Sequence, residues 1–390
     1  MSKSAGRLWP LYLGGFLGPF GSPIVTTMVP ELAREYDISV ALASTSVTSY
    51  LIPFAMLMLM SGTFAERWGR KRTVQLGYVA YALTSIGCAL APNFEMFTLF
   101  RILMGASNAF TTPVLVAAIT DLVPREKLGR SLGMFGAMQA TGQAMSPLAG
   151  GVAADLHWSL AFYAIALVAF VLAALPPDNA KSPFTGSQKE RWKALANGQL
   201  AIASIAAALS FFSLMVVAVI GVLYLRDEFG TGATVTGLIL AIFGITGLLT
   251  GRWSGSMMDR YGQLKIGGLA HLVFGLFASL VGVTALVGGA VGLGLACLLL
   301  AVAGSASTAT RAVVQQLAVT SAPANRSGAT SVMLACQFGG AALAPILWMP
   351  IYEVNHVLAM LTGGAPAFVG GLILLLVWRM RGARPAETLR

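Results

Sequence analysis

Runs of about 20 mostly apolar residues recur along this chain with short polar breaks, and each is long enough to cross a hydrocarbon layer of roughly 30 Å. The pattern predicts twelve spans, at 8–28, 41–62, 73–91, 96–119, 130–152, 158–176, 199–224, 234–256, 265–287, 291–313, 327–350 and 357–379. Lipid offers no water to backbone N–H and C=O groups, so the spans are expected to be helices. One break is longer than the rest. Residues 177–198 hold Pro177, Pro183 and four bases, and they divide the chain into six-span halves, 1–176 and 199–390. The expected fold class is an all-α integral membrane protein of twelve transmembrane helices in two six-helix bundles.

Composition agrees with the pattern. Charged residues make up 10% of the chain and hydrophobic ones 56%, against roughly 25% charged in a soluble domain. The 44 glycines suit helices that approach closely in lipid.

The net charge of +10 raises the possibility of nucleic-acid binding, but the bases are distributed as topology signals. With the amino terminus taken as cytoplasmic, that side collects Lys3, Arg7, Arg67, Arg70, Lys71, Arg72, Arg125, Lys127 and Arg130. It also collects the linker bases, Arg260, Lys265, Arg326 and the terminal arginines from Arg379 onward. The opposite side has Arg34 and Arg226 beside Glu31, Glu35, Asp37, Glu95, Asp155, Asp227, Glu228 and Glu353. The positive-inside rule therefore predicts a multi-pass protein of the cytoplasmic membrane with both termini inside. Its surroundings are the lipid bilayer, and no nucleic-acid partner is expected.

Cys88, Cys297 and Cys336 fall inside spans as small apolar residues, and His157, His271 and His356 lack ligand spacing, so no metal site is expected. The first span is too long for a cleavable signal peptide. None of the lysines follows a glycine, so no phosphate-binding loop and no nucleotide cofactor are expected, which leaves a proton or other ion gradient as the energy source. No clustered nucleophile and base stands out, so the chain is not expected to be an enzyme.

Charge is concentrated in Gly62-Thr-Phe-Ala-Glu66-Arg67-Trp-Gly69-Arg70-Lys71-Arg72, between the second and third spans. A weaker copy follows 193 positions later as Gly255-Ser-Met-Met-Asp259-Arg260-Tyr-Gly262-Gln-Leu-Lys265. Gly105, Pro124, Gly129 and Met134 recur as Gly304, Pro323, Gly328 and Met333, and Gln139, Gly142 and Pro147 recur as Gln337, Gly340 and Pro345. Order and spacing point to duplication. Internally repeated bundles are the architecture that transporters use to alternate access.

Over its whole length the sequence resembles major facilitator superfamily transporters, and more narrowly the twelve-span drug:proton antiporters. The first charged segment is similar to the superfamily's cytoplasmic signature, with Glu66 where an aspartate is usual. Phe100-Arg101-Ile-Leu-Met-Gly105 resembles a second signature, with Met104 replacing a glutamine. Gly142-Gln-Ala-Met-Ser146-Pro147-Leu-Ala-Gly150-Gly151 resembles the antiporter signature, with Ser146 in place of a glycine. The resemblance implies that Glu66 latches the halves against the eleventh span near Arg326. It also implies that the small-residue face of the fifth span seals the protein against leak. From the residues alone, Glu66 can pair with Arg70 and face a helix amino terminus, and Asp121 can join through Arg67 or Arg70. Gly62 and Gly69 permit a tight turn. The bland reading is that these bases only fix orientation, and that Gly142, Pro147, Gly150 and Gly151 mark ordinary close packing.

Two cations lie at membrane depth, Arg101 in the fourth span and Arg311 in the tenth, whereas all fifteen acids fall in loops or at span ends. A buried arginine costs roughly 2.5–3.5 kcal/mol on insertion scales, so a substrate, a carboxylate or backbone carbonyls must offset it. Tyr50, Asn108, Gln139, Gln143, Phe243 and Gln337, with Thr111, Thr112 and Phe338, complete a candidate polar cavity. The expected function is proton-coupled efflux of drugs or other small organic compounds by a monomer. Movement of an endogenous organic anion or polar metabolite is the alternative, favoured by the lack of an embedded acid. A non-transporting receptor is a distant third.

Overall fold

In the computed structural model the described residues are 8–176, 193 and 195–382, all helical or in short connections, with no strand among them. The first span is Trp9–Gly21, continued by a 3-10 turn at Pro23–Met28 and by Val29–Glu35. The second to sixth are Val40–Trp68, Arg70–Ala89, Phe94–Asn108 with Thr112–Leu122, Arg125–Leu156 and Ser159–Ala174. The seventh to tenth are Gly198–Phe229, Ala233–Tyr261, Gln263–Leu280 with Thr284–Val287, and Gly289–Ser321. The eleventh is Arg326–Val354, and the twelfth is His356–Gly363 with Ala365–Gly382. Twelve crossings return the chain to its starting end, which is rich in bases. The other end carries Glu31, Glu35, Asp37, Glu95, Asp155, Asp227, Glu228 and Glu353, with Arg34 and Arg226 as its bases.

Eight of these helices are long and apolar enough on their own to cross a membrane. The other four crossings fall short for local reasons. Pro23 follows a helix end and starts the 3-10 turn that breaks the first span. The third opens on Arg70, Lys71 and Arg72, and the sixth is 16 residues long. The fifth is weakly apolar because Gly142, Ser146, Gly150 and Gly151 pack on other helices and Gln139 and Gln143 face the cavity rather than lipid. Large apolar side chains on the outside of the bundle, such as Leu249 at 77% and Val291 at 74% exposure, fit a hydrocarbon solvent and not water.

The predicted boundaries shift most at the charged repeat. Gly62–Trp68 is not a loop but the last two turns of the second span, and the third begins at Arg70. The reversal is made at Gly69 alone, with φ 86° and ψ 141°. Gly262 repeats it between the eighth and ninth spans with φ 89° and ψ 143°. A side chain is disfavoured at such φ values, which is why glycine stands at both places.

Other repeated glycines make repeated contacts. Gly105 lies against the backbone of Tyr50, and Gly304 lies against that of Phe243. Gly142 meets the backbone of Phe16, and Gly340 meets that of Ala208. Fourth packs on second as tenth packs on eighth, and fifth packs on first as eleventh packs on seventh. The two halves are thus built on one plan. Asn93, Asn197, Asn325 and Asn355 cap the fourth, seventh, eleventh and twelfth spans, each accepting a backbone N–H.

A Cβ at position 105 or 304 would overlap backbone, whereas positions 133 and 255 have open space. Gly105→Val and Gly304→Val are expected to cost about 1–3 kcal/mol each and to lower the melting temperature in detergent. Gly133→Val and Gly255→Val should not. Equal melting temperatures across the four would contradict the packing described.

Candidate functional site: a cavity between the halves

A cavity of about 350 Å³ lies between the halves, lined by four spans of each: the first, second, fourth and fifth, and the seventh, eighth, tenth and eleventh. Helical period places its residues. Gln139, Gln143 and Pro147 follow at four-residue steps on the fifth span, and Thr308, Arg311 and Gln315 share one face of the tenth. Duplicated positions face each other across it: Gln139 and Gln337, Asn108 and Ser307, Thr112 and Arg311. Phe54, Phe211, Phe243 and Phe338 are the aromatic part of the apolar wall, and Phe54 meets Phe338 edge-on across the halves at 4.8 Å. The break in the fourth span at Ala109–Thr111, just before Pro113, presents Asn108 and Thr112 to this space. Thr111 donates to the Asn108 carbonyl at 2.8 Å and so occupies an acceptor at the break.

The two membrane cations take different places. Arg311 lines the cavity, donates to the Gln143 side chain of the opposite half and sits 5.2 Å from the Phe211 ring. Arg101 is fully buried, and it does not line the cavity. Its Nε donates to the Ser46 carbonyl at 3.2 Å and its guanidinium lies 4.4 Å from the Tyr50 ring, so a carbonyl and a π face offset its burial. Tyr50 is likewise behind the wall, where its hydroxyl accepts from Asn108 at 2.7 Å. Asn108 therefore links the cavity to the Tyr50–Arg101 pair. Of the substrate or coupling candidates, Tyr50 and Arg101 both stand one layer behind the lining residues. His271 is buried away from the cavity against the Gly267 carbonyl.

The small-residue face of the fifth span forms a two-sided seam. Gly142 and Gly150 lie against the first span at Phe16 and Ile24, while Gly151 lies against Ala233 at the start of the eighth. Gly237 of the eighth span lies against the Pro147 carbonyl at close range, and the N–H that Pro147 lacks leaves the Gln143 carbonyl, one turn earlier, without its helical donor. Ser146, the departure from the family signature, donates to the Phe20 carbonyl at 2.6 Å.

At the base-rich end the side chains of Gly62, Glu66, Arg67, Asp121 and Asp259 lie outside the described residues. Arg70 donates to the Ala117 carbonyl at 2.6 Å, tying the third span to the fourth within one half, and Arg260 rests on its neighbour Tyr261. Lys71 is exposed at the start of the third span.

The acid-rich end holds cross-half contacts that the sequence did not suggest. Glu31 accepts from Arg226 at 2.7 Å and from Arg34 at 2.8 Å, and Arg226 also donates to the Thr27 carbonyl at 2.7 Å. Asp155 accepts the Thr234 N–H at 2.8 Å at the start of the eighth span. Thr48 donates to the Ala342 carbonyl at 2.7 Å. The hydrogen bond from Thr234 holds the Asp155 carboxyl below its ordinary range, followed by smaller contributions that include the Arg226 charge. A depressed carboxylate contributes stability above its ordinary value, and loses it only as pH falls through the lower one. The available signal was that Arg226 is one of two bases on a side otherwise acidic.

The model of the Major Facilitator Superfamily matches residues 11–345, and matches 200–390 again. The chain belongs to this superfamily. It is 27% identical over 204 residues to EfpA of Mycobacterium tuberculosis, an MFS-type transporter, covering 52% of this chain and 38% of the relative. It is 25% identical over 257 residues to multidrug resistance protein 1 of Bacillus subtilis, covering 64% of this chain and 66% of that one. The first curated relatives are matched over less than half of their length, as with the Mycobacterium tuberculosis transporter Rv1250, where 31% is covered. Among solved structures, a bacterial homolog of the human lysosomal transporter Spinster, inward-facing and occupied, superimposes with TM-score 0.77 at 16% identity over 99% of this chain and 100% of that one. A D-xylose–proton symporter gives 0.75 at 17% identity, over 97% and 98%. These likenesses show the fold.

Removing the Glu31–Arg226 pair should loosen the acid-rich end. In a background with the three cysteines replaced, a cysteine at Thr27 should react with an impermeant maleimide about tenfold faster after Arg226→Gln, since a lost charge-assisted contact is worth roughly 1.5–3 kcal/mol. The exchanged pair Glu31→Arg with Arg226→Glu should restore slow labelling. Unchanged labelling in the single variant would remove the latch from this account.

Proposed function

We propose that this superfamily member is a secondary transporter of the cytoplasmic membrane that exports small organic compounds. Residues 1–176 rock against 199–390 about the central cavity, and a proton or other ion gradient drives the cycle. Both termini face the cytoplasm, as the distribution of bases favours. The observation that carries this reading is the cavity itself, which belongs to neither half alone: matched positions of both repeats line it, and the fifth–eighth seam together with the Thr48–Ala342 bond of the second and eleventh spans joins the halves.

Its size falls in the range of small-molecule sites, roughly 300–1,000 Å³, and its wall is mainly apolar with a few amides. Export is supported by the relative named multidrug resistance protein 1 and by the antiporter-like fifth span. The reading is of a carrier that needs no bound cofactor and works as a monomer. Glu66 acts at the base-rich end as a conformational gate, and Arg101 acts from behind the wall through Tyr50 and Asn108. Among compounds, those without net positive charge are favoured, because the described residues of the lining include Arg311 and no carboxylate.

Protein reconstituted in vesicles should move fluorescent organic compounds in response to an imposed pH or ion gradient, and ionophores should abolish that flux. Glu66→Gln should slow turnover without lowering insertion. No gradient-dependent flux across neutral, anionic and cationic compounds would contradict the proposal.

A further inference from the structure

Among the described residues that line the cavity, Arg311 is the one ionisable side chain. Its contacts are the Gln143 amide oxygen, from the other half of the molecule, and the face of Phe211. Both are neutral. No carboxylate pairs with it among the described residues, although a guanidinium has five N–H donors and strongly prefers a charged, two-oxygen partner. An amide offers one oxygen and a dipole. An anion would therefore displace it.

The displaced bond is one that joins the halves. Gln143 lies on the fifth span, between Gly142, packed on the first span, and Pro147, packed on the eighth. Arg311 lies on the tenth. Whatever takes Gln143 off Arg311 releases one tie between 1–176 and 199–390 at the centre of the molecule. Beside the neutral amides of Gln139 and Gln315, the wall carries a large apolar share, with Phe211 against Arg311 and Phe243, Phe338 and Leu240 also on the lining. The occupant that satisfies both parts is an amphipathic organic anion, with a carboxylate or sulfonate for Arg311 and a hydrophobic body for the rings.

Resting on the transport reading above, we propose that Arg311 and Gln143 form a substrate-released clasp: an amphipathic organic anion binds Arg311, displaces Gln143 and frees the fifth span from the tenth. Arg311 is the anion-binding residue. Gln143 is a positioning residue that holds the guanidinium toward the cavity and couples its occupancy to the junction of the halves. A cationic compound meets an unscreened like charge at the same place and does not release the clasp.

The test is binding by purified protein in detergent, without a gradient, of naphthylacetate, its neutral amide and naphthylmethylammonium, which share one aromatic body. The carboxylate should bind about 10- to 100-fold more tightly than the amide, the range expected of a hydrogen bond to a charged group over a neutral one. The ammonium should bind most weakly. Arg311→Gln should erase the preference and Arg311→Lys should retain part of it. Gln143→Glu, which supplies an internal carboxylate to Arg311, should weaken naphthylacetate at least tenfold while leaving the amide unchanged. Gln143→Ala should bind the anion as well as wild type or better.

Equal binding of the three compounds to wild type would overturn the proposal, and this arm needs no variant to fold. So would an anion preference that survives Arg311→Gln, or wild-type anion affinity in Gln143→Glu. Binding preference intact with no gradient-driven flux would instead refute the transport reading and leave the anion site standing.

Discussion

Close contact between helix backbones is the constraint on which this structure depends. In lipid, apolar side chains gain little by leaving one hydrocarbon for another, so helices associate through van der Waals fit and interhelical hydrogen bonds. Here the fit comes from glycines set against carbonyls. Gly105 on Tyr50 and Gly304 on Phe243 hold the second and fourth, and the eighth and tenth, spans together. Gly142, Gly150 and Gly151 then bring the fifth span against helices on both sides of the molecular junction. Larger side chains at these points would push the helices apart, and the polar groups at the centre would lose the partners that make their burial tolerable.

Polar chemistry is arranged around that frame in layers. The cavity wall presents amides, aromatic rings and one guanidinium. Behind it, Asn108 joins Tyr50, and Tyr50 faces Arg101. At the acid-rich end, Glu31 with Arg226 and Asp155 with Thr234 join the two halves where solvent begins. A rocking cycle has to break contacts of the last kind and remake them. The ion pair suits that use, because it is mostly buried while the end is closed and each partner can take up water in place of the other when the end opens.

How much of this was legible follows from what each residue needs. A glycine that must adopt positive φ, or must lie against a carbonyl, leaves its mark in the sequence, and so Gly69 with Gly262 and Gly105 with Gly304 marked the repeat before any coordinates. The polar cavity faces were legible in part, since Gln139, Gln143 and Gln337 stand out in apolar helices. Which way a helix is rotated was not legible. Arg101 and Arg311 look alike in the sequence, yet one is packed between helices of its own half and the other opens on the cavity. The Glu31–Arg226 pair joins residues far apart in the chain, and no local pattern links them. The fifth span ran past its predicted 130–152 because its ends, from Arg125 through Lys127 and at Asp155, carry charges that a search for apolar runs leaves out.

The central claim is that two lobes exchange closure between opposite ends about one cavity. Distances between spin labels measure this most directly, with one pair at Glu35 and Val235 on the acid-rich end and another at Lys127 and Tyr261 on the base-rich end. Under an imposed gradient, or on adding a bound compound, the first distance distribution should shift toward longer values as the second shifts toward shorter ones. Distributions at both ends that stay fixed, or that lengthen together, would contradict the account.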